Sequence, residues 1–130
     1  MSTTRIISIV ALGFAFLLAG AMHFIAPRSY LPMMPSYLPH PQQLIAISGA
    51  AEMAGGLGVL IPLTRRLAGY GLIALLIAVF PANLNMAIHH TQIPGLHVTP
   101  FMAWLRLPMQ LPMMYWVWWT AIRRDPATGA

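Results

Sequence analysis

Glu52 is one of two acidic residues in a chain of 130, and it lies inside an apolar run, Leu44–Leu63. Counted from Leu44 it is about 8 residues in, roughly 12 Å along a helix rising ~1.5 Å per residue. An ionisable group at that depth in a bilayer costs on the order of 3 kcal/mol, so it persists where it pairs or does chemistry. Ser48 stands one turn earlier on the same face. Further polar residues fall near the same ends of other apolar runs: His23; then Asn83, Asn85 and His89; then Arg106 and Gln110. Arg106 is the natural partner for Glu52, because a guanidinium offers a forked donor suited to carboxylates. Asn83, Asn85 and Gln110 can serve the remaining lone pairs, and Glu52 and His23 can carry protons. Such a cluster has two readings. It is a structural staple that fixes helix register, or it binds a ligand or handles protons.

Other chemistries fit less well. His89-His90 with His97 have metal-ligand character, but no acid or thiol stands beside them, and adjacent histidines do not readily share one ion. No metal is expected. The ten methionines show no regular spacing and read as adaptable apolar filler, not as copper ligands. Cysteine is absent, which removes disulfide, thiolate-metal and thiol-redox chemistry. There is no phosphate loop, dinucleotide fingerprint or serine-nucleophile elbow. The net charge of +5 comes from seven arginines, placed mostly at the ends of apolar runs. They read as topology signals, and no nucleic-acid partner is expected.

The elements that must hold these residues are helices in a membrane. The chain is 58% hydrophobic and 7% charged, a membrane composition. The expected fold is all-α: a four-helix transmembrane bundle in one domain, 1–130, with spans about 6–25, 44–63, 67–88 and 100–122. Pro81 should kink the third span. Thr99-Pro100 is a helix start, a capping hydroxyl followed by proline at the first position. Pro108 and Pro112 should bend the fourth span, and Pro126–Ala130 should fray. Ala19-Gly20-Ala21 resembles a signal-peptide cleavage site, but a retained first helix keeps the spans even in number.

Arg5, Arg65, Arg66, Arg123 and Arg124 fall on one side of this arrangement, Arg28 and Arg106 on the other. The positive-inside rule then sets both termini in the cytoplasm, in the cell's inner (plasma) membrane. Every polar residue of the cluster lies toward the outer leaflet, and the inner halves of the spans carry almost nothing polar. Small-residue stripes should face the bundle interior: Ala11, Ala15 and Ala19 leading to His23, and Ala74, Ala78 and Ala82 leading to Asn85 and His89. Between the first two spans, a proline-rich segment repeats itself as Ser29-Tyr30-Leu31-Pro32 and Ser36-Tyr37-Leu38-Pro39. It reads as an interfacial segment, or as a lid over the outer end of the bundle.

Several short runs resemble the DoxX-like membrane-protein family. They are Gly20-Ala21-Met22-His23-Phe24, Ser48–Gly56 with Arg65-Arg66, Phe80-Pro81-Ala82-Asn83, and Trp104-Leu105-Arg106-Leu107-Pro108-Met109-Gln110. The resemblance implies a compact four-helix subunit. It also implies membrane redox chemistry of the thiosulfate–quinone type, with Glu52, Asn83, Arg106 and Gln110 at matching positions. On this basis the chain is expected to be a subunit, or a small-molecule binding component with quinone as a candidate ligand, of a membrane redox assembly. Its partners would be the lipid bilayer and a redox partner protein or a second copy in a homo-oligomer. It carries no electron carrier of its own, so a subunit is a better reading than an enzyme. The alternatives are a non-catalytic scaffold and a small oligomeric transporter.

Overall fold

A computed structural model describes residues 2–89 and 99–123, with the Met33 side chain left aside. His90, His97, Arg124 and Asp125 fall outside these residues, and with them the histidine metal alternative and the fraying of the tail. The described residues are helical, with no strand among them. They form α1 (Thr3–Ile25), two 3-10 turns (Pro27–Ser29 and Leu31–Met33), α2 (Pro41–Leu60), α3 (Arg65–Ala78), α4 (Phe80–Ile88) and α5 (Pro100–Val117). A π turn, Trp118–Ile122, continues α5.

Local chemistry sets the boundaries. Ser2 caps α1, its hydroxyl accepting from the Arg5 N–H at 3.2 Å. Pro41 opens α2 at its first position, three residues before the expected start. Thr99 caps α5 as its sequence indicates, accepting from the Met102 N–H at 3.2 Å ahead of Pro100. The break expected near Pro81 is present: α3 ends at Ala78, and the proline sits in the first turn of α4. α5 runs on through Pro108 and Pro112.

Three helical stretches are long and apolar enough to cross a membrane: Thr3–Ile25, Pro41–Leu60 and the broken helix Arg65–Ile88. Pro100–Ile122 is the fourth long helical stretch, but Arg106, Gln110 and its prolines dilute its apolar character. Phe14, Leu18, Leu67, Ile77 and Leu111 are each more than half exposed, the outward apolar surface that a lipid environment would cover.

α1 and α2 pack most closely. Gly13 and Gly20 on α1, seven residues apart, face Gly56 and Gly49 on antiparallel α2. A Cβ on Gly20 would stand 2.5 Å from the Gly49 carbonyl oxygen, and one on Gly56 would stand 2.6 Å from that of Gly13. The backbones therefore touch, and close dispersion contact replaces the hydrophobic driving force that lipid removes. This seam corrects the expected alanine stripes. Ala11, Ala15, Ala74 and Ala78 are exposed, because the glycine side of α1 faces α2 and Gly69 of α3 receives Ala121 and Ile122 of the π turn. The main core is Ile9, Leu12, Phe16, Val59, Leu72, Val117 and Ala121; a second, smaller core joins Met86, Ala87 and Ala103 with Tyr30 and Leu107 against them.

The α1 N-terminal end is more polar than its composition suggests. Arg5 is buried, its Nε and Nη2 donating to the carbonyls of Thr120 (3.4 Å) and Arg123 (2.6 Å). The Trp116 indole N–H donates to Ser8 Oγ at 2.8 Å, and the Ser8 and Thr120 hydroxyls share a hydrogen bond at 2.6 Å. Arg65 donates to the Val59 and Leu60 carbonyls at the end of α2. Cations and donors here satisfy carbonyls that helix ends leave without partners.

Candidate functional site

The Gly20–Gly49 contact brings α1 and α2 close enough for their next polar residues to meet. His23 Nδ1 lies 3.2 Å from Glu52 Oε2, with both side chains largely buried. The same Nδ1 lies 2.9 Å from the Ala19 carbonyl oxygen. That oxygen can only accept, so Nδ1 carries a hydrogen aimed at it. Glu52 Oε2 is thus within ion-pair distance of the imidazole yet receives no hydrogen bond from it. Among the described residues, Ser48 Oγ, one turn before Glu52, is likewise buried with no partner, and so is Gln110 Oε1 on α5. Buried oxygens without donors are costly, about 1–3 kcal/mol each, and in a native fold they call for an explanation.

Tyr30 covers this group. Its ring stacks on His23 with centroids 4.0 Å apart and planes 16° from parallel. The 3-10 turn Leu31–Met33 that follows it packs against α4, and the phenol packs on the Met86–Ala87–Ala103 core. Burial pushes the Tyr30 hydroxyl above its ordinary value. The Glu52 charge adds to that rise, and the Arg106 charge opposes it. Tyr30 therefore stands in the fields of both.

Glu52 and Arg106 are not an ion pair. Among the described residues the carboxylate's ionic neighbour is His23, while Arg106 is exposed on α5 with its Nη1 3.7 Å from Met86 Sδ. Depth along a span placed both residues correctly toward one end of the bundle, but it did not fix the direction each faces around its helix. Neither Asn83 nor Gln110 donates to Glu52 Oε2. Asn83 and Asn85 are half-buried on α4, with Asn85 engaged, and His89 is exposed at the end of that helix. The group that comes together is His23, Ser48 and Glu52, with Tyr30 and, at longer range, Arg106.

Tyr30 was the residue to add to the sequence-predicted set. Its signal was the Ser-Tyr-Leu-Pro repeat, whose two tyrosines have parted: Tyr30 is half-buried on His23, and Tyr37 is 75% exposed. Ser8, Trp116 and Thr120 at the opposite end gave no signal, since isolated hydroxyls and tryptophans in apolar runs read as packing.

The pattern of a family described as "Domain of unknown function (DUF8561)" matches residues 12–121, and the chain belongs to that family. This corrects the DoxX-like resemblance. Two of the short runs behind it, Gly20–Phe24 and Ser48–Gly56, are rich in Gly and Ala, the residues that close helix packing selects in many unrelated membrane proteins. Comparison with curated proteins and with solved structures gives no match.

Proposed function

We propose that this family member is a multi-pass membrane protein that binds a small apolar molecule bearing hydrogen-bond donors, within a cluster built on His23 and Glu52. In this reading all four long helical stretches cross the bilayer and the proline-rich turns lie at the outer interface. Both termini are cytoplasmic, in the inner (plasma) membrane, as the arginine placement argues.

One observation carries the reading: among the described residues, Ser48 Oγ and Glu52 Oε2, one turn apart on α2, are buried and lack donors. A carboxylate oxygen accepts, so the matching ligand brings O–H or N–H groups. A hydroquinone fits this demand better than the corresponding quinone, whose carbonyls would themselves need donors. The apolar body of such a ligand would lie along the membrane-facing surface, and Tyr30 would close over its head. A role in a redox assembly rested on the corrected resemblance and is not carried further.

The test is a titration of purified protein with an isoprenoid hydroquinone, read by tryptophan quenching, beside its dimethyl ether. The hydroquinone should bind and the ether, which has the same body but no donors, should bind at least tenfold more weakly. Equal binding of the two would end the donor-based reading.

A second reading, homo-oligomer formation, draws on α3. Ala74 and Ala78 are exposed, and a Cβ on Gly71 would meet nothing within 4 Å. Small residues turned outward let a second helix approach closely. Cysteines introduced at Ala74 and Ala78 should cross-link between copies in native membranes; a purely monomeric product would count against it.

A further inference from the structure

The end of the bundle opposite His23 and Glu52 holds a second group of ionisable side chains, all of one sign. Arg5 comes from the first turn of α1, Arg65 from the start of α3, and Arg123 from the end of the π turn. Arg5 and Arg65 are near enough to repel one another. Arg66 follows Arg65 in sequence. Among the described residues no carboxylate pairs with any of these arginines; the one ion pair is His23–Glu52.

What orients these guanidiniums is neutral. Arg5 is held by the carbonyls of Thr120 and Arg123, and Arg65 by those of Val59 and Leu60. Arg123 lies over the Trp119 ring at 5.0 Å, and among the described residues its buried Nε has no acceptor. Among the described residues these donors meet no carboxylate.

We infer that this end of the bundle binds the phosphate of an anionic phospholipid, with Arg123 as the principal donor and Arg5 and Arg65 supplying the field. Guanidinium forks match phosphate oxygens, and Arg123 is only part-buried at this end of the bundle. The placement agrees, because the apolar stretches Thr3–Ile25 and Arg65–Ile88 both begin here, where headgroups would lie if these stretches cross a bilayer. Ile6 and Leu67, next to this cluster in sequence, are 49% and 76% exposed, and acyl chains would cover them. A soluble phosphate offers the same oxygens but nothing for those faces, so the lipid is the source assigned. This site is independent of the ligand proposed for His23 and Glu52.

The experiment is native mass spectrometry of the full chain in detergent, with phosphatidylglycerol and phosphatidylcholine of identical chains. Phosphatidylglycerol should be retained preferentially. Arg123→Gln should weaken that retention about fivefold, the effect of one arginine near an anionic surface. Arg28→Gln, at the other end of the bundle, should leave it unchanged. Equal retention of the two lipids by the wild-type protein would overturn the site without any variant. So would a folded Arg123→Gln protein that keeps full selectivity, or displacement by inorganic phosphate at concentrations matching the lipid.

Discussion

Gly20 of α1 and Gly49 of α2 meet backbone against backbone, so that a Cβ on Gly49 would fall 2.6 Å from the His23 Cβ. That contact delivers His23 to Glu52, and the site exists only while the seam is closed. Packing and function are therefore linked at one position, and they can be separated by choosing substitutions along the same helices.

Gly20→Val should be among the most disruptive single changes in the chain. Its side chain would collide with the Gly49 carbonyl and with Met53. Overpacking of this kind costs about 1–3 kcal/mol, and here a backbone atom blocks the way. Gly71→Ala, in open space, should be neutral or stabilise by up to about 1 kcal/mol through helix propensity. Thermal denaturation in one detergent checks both. A Gly20→Val protein as stable as the wild type would mean that the seam is not closed.

Tyr30 should ionise above the ordinary tyrosine value in a spectrophotometric titration, because burial and the Glu52 charge both hold its proton. Glu52→Gln should bring the Tyr30 titration down toward the ordinary tyrosine value, and Arg106→Ala should move it further up. The sign for stability follows. Above pH of about 10 an unfolded tyrosine loses its proton while folded Tyr30 keeps it, so the unfolded state binds fewer protons. Stability should then fall as pH rises from that point, and Tyr30→Phe should flatten the fall. An unchanged Tyr30 titration in Glu52→Gln would mean that the phenol does not sense the carboxylate.

Arg5→Ala should loosen the opposite end of the bundle. It removes two charge-assisted bonds to the Thr120 and Arg123 carbonyls, a loss of about 2 kcal/mol. Hydrogen exchange should accelerate in Trp118–Arg123 and leave the His23 region slow. Ser8→Ala should cost about 1 kcal/mol, since it strands the Trp116 N–H and the Thr120 hydroxyl. Uniform exchange across the chain in Arg5→Ala would remove the arginine from this local role.

Much of the helical layout was legible in the sequence, because apolar runs of membrane length leave a chain few other structures. The Thr99-Pro100 start and the break at Pro81 followed from local chemistry at those residues. The polar face of α2 was also readable, since Ser48 and Glu52 share it by helical period. The partner of Glu52 was not. Sequence gives depth along a span but not rotation between spans, and Arg106 reaches Met86 while His23 is the residue that meets the carboxylate. The glycines that decide rotation were visible at seven-residue spacing, yet the alanine stripes offered an equally regular pattern. Only Gly permits backbone contact, so Gly13, Gly20, Gly49 and Gly56 prevailed. Tyr30 reached the site through a connecting segment whose path no helical periodicity describes.

The most direct measurement is the dissociation constant of a donor-bearing ligand, an isoprenoid hydroquinone, for the wild type, Glu52→Gln and Arg106→Ala. The buried carboxylate without a donor predicts a loss of about tenfold or more in Glu52→Gln, and a small change in Arg106→Ala, whose exposed guanidinium is not paired with it. A folded Glu52→Gln protein that binds as tightly as the wild type would contradict a ligand site at His23 and Glu52.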